Sequence, residues 1–179
     1  AFNDINLQKP AEFYAFNAAN AISATRILQT QFPLTQAQIR QGLDMNVLAA
    51  RVEVVSDFPM VIIDGAHNPR AMATLVLTLK KLKILKPTVI FSAFRDKDVA
   101  SEFALLEEID AKIILTQFAH SRARHQDEYP LNDYPFIEDP NTAIKETLKK
   151  MKKNEVLVIT GSLAFAGQIS HLWKEGMFL

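Results

Sequence analysis

Cysteine is absent from this chain, so no disulfide framework, thiolate zinc site, iron–sulfur cluster or thiol nucleophile can be built from it. The absence suits a reducing cytoplasm, which is the expected location. Glycine is scarce, with five residues at positions 42, 65, 161, 167 and 176. None of their spacings fits Gly-x-Gly-x-x-Gly or Gly-x-x-x-x-Gly-Lys-Ser/Thr, so the chain by itself offers no phosphate-cradling loop. Net charge is lacking as well: 20 basic side chains stand against 20 acidic ones, three against three before Arg51 and seventeen against seventeen from there onward. No field of one sign is available to hold a polyanion, and nucleic acid is not an expected partner. Long apolar runs are missing too. Met60 to Ile63 and Thr88 to Phe94 fall far short of the ~20 residues that cross a bilayer, so no membrane span is expected. The start, Ala1-Phe2-Asn3-Asp4, has no initiator methionine, basic stretch or apolar core of a signal peptide and reads as a cut end of something longer.

What is present is apolar surface. Hydrophobic residues make up 49% of the 179 positions and charged residues 22%, enough burial to offset chain entropy and to exclude a disordered polymer. The length fits one domain of ordinary size plus an appendage.

Between Pro10 and Phe32, the apolar residues Phe13, Phe16, Ile27 and Leu28 and alanines at 15, 18, 19, 21 and 24 follow a helical period with one small-residue face. This predicts one long, tightly packed helix closed by Pro33. Thr35 followed three residues later by Gln38 reads as a capping box opening a second helix. Two helices are too little to bury a core of their own, so residues 1–48 are expected to be the end of a preceding domain.

From about residue 49 the pattern changes. Val52, Val54 and Val55 precede a turn at Asp57 and Pro59, and Met60 to Ile63 ends at Gly65, a hairpin-like start whose second strand is buried on both faces. A helix through Met72, Leu75, Val76, Leu79 and Leu82 follows. Then come a strand from Thr88 to Ala93, a helix with Val99, Phe103 and Leu106, and a strand from Lys112 to Thr116. The remainder is a polar stretch from Phe118 to Asp133, a short strand near Phe136, a helix with Ile144, Leu148 and Met151, a strand from Val156 to Thr160, and a helix through Ile169 and Trp173. Alternation of strands and helices predicts a doubly wound, mostly parallel but mixed, Rossmann-like sheet over residues 49–179. Ligands of such sheets bind where strands end at their carboxyl side, here near Asp64 to Asn68, Phe94 to Asp98, Gln117 to Arg124 and Gly161-Ser162.

The segment Val61-Ile62-Ile63-Asp64-Gly65-Ala66-His67-Asn68-Pro69 carries the most information. Local rules alone make it a strand-turn-helix connection, with Asp64 accepting from loop amides and Asn68 capping the helix that Pro69 opens. The same residues would also aim an acid and an imidazole into the cleft, where the acid accepts from ribose hydroxyls and the histidine bonds a carboxylate. Ser162, after Gly161 at a strand end, reads equally as an N-cap and as a carboxylate contact at a helix start. His120, Arg122, Arg124 and His125 read as a solvated loop, since two histidines five apart lack a supporting acid pattern. Lys149, Lys150, Lys152 and Lys153 read as a solvated helix end, and Asp96 as the cap of the next helix.

Asp-Gly-Ala-His-Asn-Pro after an apolar strand resembles the signature of the C-terminal domain of folylpolyglutamate synthase and dihydrofolate synthase, in the Mur ligase family. Arg51-Val52-Glu53-Val54-Val55 resembles that family's Gly-Arg-Phe-Glu-Val stretch, Asp96-Lys97-Asp98 its Asp-Lys-Asp, Arg122-Ala123 its Arg-Ala pair and Thr160-Gly161-Ser162-Leu163 its closing Gly-Ser. Asn17-Ala18-Ala19-Asn20-Ala21 resembles the Asn-Ala-Ala helix that ends the central ATPase domain. Two departures stand out: Ala49-Ala50 replaces the usual Pro-Gly before the arginine, and Tyr14 replaces a glutamine. The resemblance implies an ATP-dependent ligase that joins L-glutamate to a folate or dihydropteroate carboxylate through an acyl phosphate. It implies that Asn17, Arg51 and Asp64 serve nucleotide binding and that His67 and Ser162 orient glutamate, with Asn68, Lys97, Asp98 and Arg122 in a second rank. ATP and Mg are the implied cofactors, the metal ligands and phosphate loop belonging to an N-terminal ATPase domain outside this chain, so the chain alone is expected to be inactive. Rival expectations are a muramyl peptide synthetase, whose motif more typically reads Tyr-Ala-His-Asn-Pro, and a non-catalytic binding module of the same fold.

Overall fold

A computed structural model describes residues 13–45, 48–130 and 134–178. The expected helix start at Pro10, the end of the polar stretch at Asp133 and the reading of Ala1 to Asp4 lie outside these residues. The chain divides into two compact units, Ala1–Leu48 and Ala49–Leu179.

The first unit holds helix α1, Phe13–Ile27, and helix α2, Gln36–Asp44. Thr35 accepts from the Gln38 amide at 3.2 Å while Gln38 Oε1 accepts from the Thr35 amide at 2.9 Å, the expected reciprocal cap. In α1 the buried stripe is Tyr14, Ala18 and Ile22, one residue per turn. Phe16 and Ile27, expected on a packed face, are 72% and 80% exposed. Alanine-rich composition suits a helix without saying which stripe is covered.

The second unit begins with an antiparallel pair, β1 (Glu53–Asp57) and β2 (Met60–Ile63). There follow α3 (Pro69–Lys81), β3 (Thr88–Phe91), α4 (Val99–Glu107), β4 (Lys112–Leu115), α5 (Pro140–Lys150), β5 (Val156–Thr160) and α6 (Leu163–Lys174). The sheet order is β1-β2-β5-β3-β4, and β2, β5, β3 and β4 run parallel. The short strand expected near Phe136 is reduced to a single parallel bridge with Leu115. Between them the central strands β2, β3 and β5 carry Val61, Ile62, Ile63, Val89, Ile90, Phe91, Leu157, Val158 and Ile159 at 0% exposure, as strands covered on both faces require. Alternation sorts them. Val61, Ile63, Ile90, Leu157 and Ile159 pack with Ile144 of α5 and Phe165, Ile169 and Trp173 of α6. On the opposite face Phe91 meets Phe103 of α4 edge-on, at 5.0 Å between ring centres, and α3 packs against α4.

This arrangement sets the switch point of the sheet. Strands β2 and β5 are neighbours, yet α3 leaves β2 toward one face and α6 leaves β5 toward the other. Ligands of doubly wound sheets bind at such a switch point, outside the carboxyl ends of the strands.

Candidate functional site at the switch point

The loop after β2 and the turn after β5 are joined by main-chain bonds. Asp64 donates its amide to the Ile159 carbonyl (3.0 Å), and Gly161 donates to Ala66 (3.1 Å). Two glycines permit that closeness. A Cβ on Gly65 would lie 2.5 Å from Leu163 Cδ1 and 3.2 Å from the Ala50 carbonyl oxygen, and one on Gly161, at φ +107°, would lie 2.7 Å from the Ser92 carbonyl oxygen. Asp64, His67 and Ser162 therefore gather at one edge of the sheet, from positions almost a hundred residues apart.

Asp64 is 5% exposed. One carboxylate oxygen accepts from the Ala66 amide and the other from the Val52 amide, both at 2.8 Å. Burial pushes its carboxyl above the ordinary range, against those two amides and the charges of Arg51 and His67. With both oxygens engaged by main chain, Asp64 holds the turn that carries Arg51. Each of its oxygens keeps a further lone pair that could accept from a ligand hydroxyl. Residues on either side of Arg51 adopt the left-handed region: Ala50 at φ 55° and Val52 at φ 48°. Ala50 thus occupies a conformation suited to the glycine it replaces.

His67 is half-buried, with Nδ1 2.8 Å from the Gly65 carbonyl oxygen. A carbonyl only accepts, so Nδ1 carries the hydrogen and Nε2 is the nitrogen left for a ligand. A neutral ring then offers an acceptor there, and only the imidazolium donates to a carboxylate. Asn68 caps α3, accepting from Ala71 at 2.9 Å with Pro69 in the first helical position. Ser162 is 1% exposed and caps α6, its oxygen 3.2 Å from the Ala164 amide.

The remaining second-rank residues stand elsewhere along the edge, at β3 and β4, the latter three strand steps or roughly 14 Å from β2. Asp98, not Asp96, caps α4, accepting from Ser101 N (3.2 Å) and Oγ (2.6 Å). Capping requires the residue that precedes the first helical turn, and α4 begins at Val99. Lys97 lies 3.5 Å from Asp96. The Arg122 guanidinium sits over the Phe94 ring at 4.5 Å. Arg124, expected in a solvated loop, is 9% exposed and donates to the carbonyls of Arg95 (2.7 Å), Lys97 (2.9 Å) and Glu128. Asn17 is exposed on α1 in the first unit. Among the described residues no group of three or more His, Cys, Asp or Glu could hold a metal ion, and no helix is long and apolar enough to cross a membrane.

The family described as Mur ligase, glutamate ligase domain matches residues 50–163. The chain belongs to the Mur ligase family. It is 32% identical over 171 residues to the folylpolyglutamate synthase of Lacticaseibacillus casei, covering 93% of this chain and 40% of that protein. It is 32% identical over 160 residues to the dihydrofolate synthase/folylpolyglutamate synthase of Bacillus subtilis, covering 86% and 37%. Among solved structures, the bifunctional folylpolyglutamate synthase/dihydrofolate synthase of Yersinia pestis complexed with AMPPNP and Mn ion superposes with a TM-score of 0.72 at 28% identity, covering 88% of this chain and 38% of that one. This Mur ligase chain therefore spans about two fifths of the length of these two relatives.

Proposed function

We propose that this chain is the C-terminal part of a folylpolyglutamate synthase/dihydrofolate synthase, working in the cytoplasm to join L-glutamate to a folate or dihydropteroate carboxylate at the expense of ATP. The observation that carries the reading is the joining of the Asp64–Asn68 loop to the Gly161–Ser162 turn, with the Arg51 turn tied to both Asp64 and Gly65. A ligase of this kind must hold several anions together, which calls for converging basic and amide groups in a crevice that excludes water.

Bound ATP would supply the phosphoryl group that activates the acceptor carboxylate. Arg51 would bind a phosphate oxygen through its planar fork, with Asp64 setting its turn. Asn17 would contact the nucleotide from its own unit. His67 would present Nε2 to glutamate, donating to a carboxylate when protonated, and Ser162 with the start of α6 would favour the same carboxylate. Asn68 and Asp98 act as helix caps, and Lys97 and Arg122 rank behind the switch-point residues. The divalent ion would be held by the N-terminal ATPase domain, and no described residue is assigned to it.

Steady-state kinetics of the full-length protein, with ATP and glutamate varied separately, test this reading. Arg51→Ala should raise the apparent constant for ATP and His67→Ala that for glutamate, each by roughly ten- to a hundredfold, the worth of one charged hydrogen bond. Ligation to a UDP-muramyl peptide with none to a folate would move the chain to the muramyl branch. Turnover by residues 1–179 alone would remove the need for a second domain.

A further inference from the structure

Two left-handed residues two positions apart, neither of them glycine, cannot be left to local preference. Each is strained and survives only where its surroundings over-determine it. Two ties come from the loop after β2, Gly65 N to Ala50 O at 2.7 Å and Val52 N to Asp64 at 2.8 Å. A third comes from elsewhere. The Glu53 carboxylate accepts from the Ala50 amide at 2.8 Å, and its side chain is 12% exposed. The same oxygen accepts from Ser170 Oγ at 2.8 Å, and the other lies 2.9 Å from Lys174 Nζ. Burial resists ionisation, yet the Ala50 amide, Lys174 and Ser170 together hold the carboxyl below its ordinary range. Ser170 and Lys174 belong to α6, the helix that Ser162 caps.

We infer that Glu53 is a positioning residue for Arg51: held by Ser170 and Lys174, it fastens the Ala50–Val52 turn to α6 and so fixes where the Arg51 guanidinium is presented to the nucleotide. The inference rests on the proposed nucleotide role of Arg51. The geometry makes Ser170 the closer support, because its hydroxyl shares the oxygen that receives the Ala50 amide. Lys174, 58% exposed, contributes charge that water screens.

The test is a double-mutant cycle in the full-length ligase, read as KM for ATP, KM for glutamate and kcat. Glu53→Ala is expected to raise the ATP constant about tenfold while the glutamate constant stays within about twofold. Glu53→Gln, whose amide oxygen still accepts from Ala50 and Ser170, should return the ATP constant to within about threefold of wild type. In an Arg51→Ala background, Glu53→Ala should add less than about twofold, because coupled residues are not additive. Multiplying effects would overturn the inference, as would an unchanged ATP constant in Glu53→Ala beside a raised one in Arg51→Ala. An unchanged constant in Arg51→Ala itself would instead fail the nucleotide reading, and the inference with it. Should Glu53→Ala not fold, Ser170→Ala enters the same cycle, with about threefold expected and additivity again overturning the inference.

Discussion

At the end of β2 a buried carboxylate gathers backbone N–H groups, whereas beside the ends of β3 and β4 a buried guanidinium gathers backbone carbonyls. Asp64 takes the Val52 and Ala66 amides; Arg124 gives to Arg95, Lys97 and Glu128. Both tie together loops that are distant in sequence. They differ in completeness. Each Asp64 oxygen has a main-chain donor at 2.8 Å, but Arg124 Nε and both oxygens of Glu102 are buried without a hydrogen-bond partner among the described residues. A satisfied carboxylate can hold a strained turn firmly. The second corner keeps buried charge poorly bonded, which costs stability and makes it responsive to pH.

The largest effect is expected from Asp64→Ala. It leaves two buried amides without an acceptor and frees a turn with two left-handed residues, a loss of about 3 to 5 kcal/mol measurable by urea unfolding. Arg124→Met should cost less, about 2 to 3 kcal/mol, because it also removes an unbonded buried Nε. Equal or reversed losses would break the contrast between the corners.

Glu102 sharpens it further. Burial first, and the Asp98 charge second, push its carboxyl up to about 7 against Lys97 and Arg124. The folded state thus retains a proton that the unfolded chain, titrating near the ordinary glutamate value, has already released. Stability from this group is full below that unfolded value and falls as pH rises through about 7. Glu102→Gln should flatten that fall, leaving the variant about 1 to 2 kcal/mol more stable than wild type at alkaline pH and little changed in acid. Parallel unfolding curves for the two proteins across this range would refute it. Smallest of all is Lys150→Ala. Its side chain is 80% exposed and 3.8 Å from Glu146, so unfolding should shift by no more than about 0.5 kcal/mol.

Much of this protein was legible where the deciding contacts lie within a few residues. The Thr35–Gln38 box, the Asn68 cap before Pro69 and the alternation of β2, β3 and β5 with α3, α4 and α6 follow from local hydrogen bonding and periodicity. The motif from Asp64 to Pro69 was read correctly as the connection from β2 to α3 for the same reason. Off by two residues was the α4 cap, since Asp96 and Asp98 are equivalent acids until the backbone picks one.

What only the tertiary structure decided depends on partners far apart in the chain. Glu53 meets Ser170 across 117 positions, Arg124 finds carbonyls at 95 and 97, and the left-handed turn around Arg51 is imposed by Asp64, Gly65 and Glu53 rather than by the alanine and valine that adopt it. Amino-acid order determines which backbone segments become strands and helices, because those choices are made among neighbours. Whether a charged side chain ends up solvated, as Arg124 was expected to be, or buried against main chain depends on which loops the folded sheet brings together, and that is a property of the packed whole.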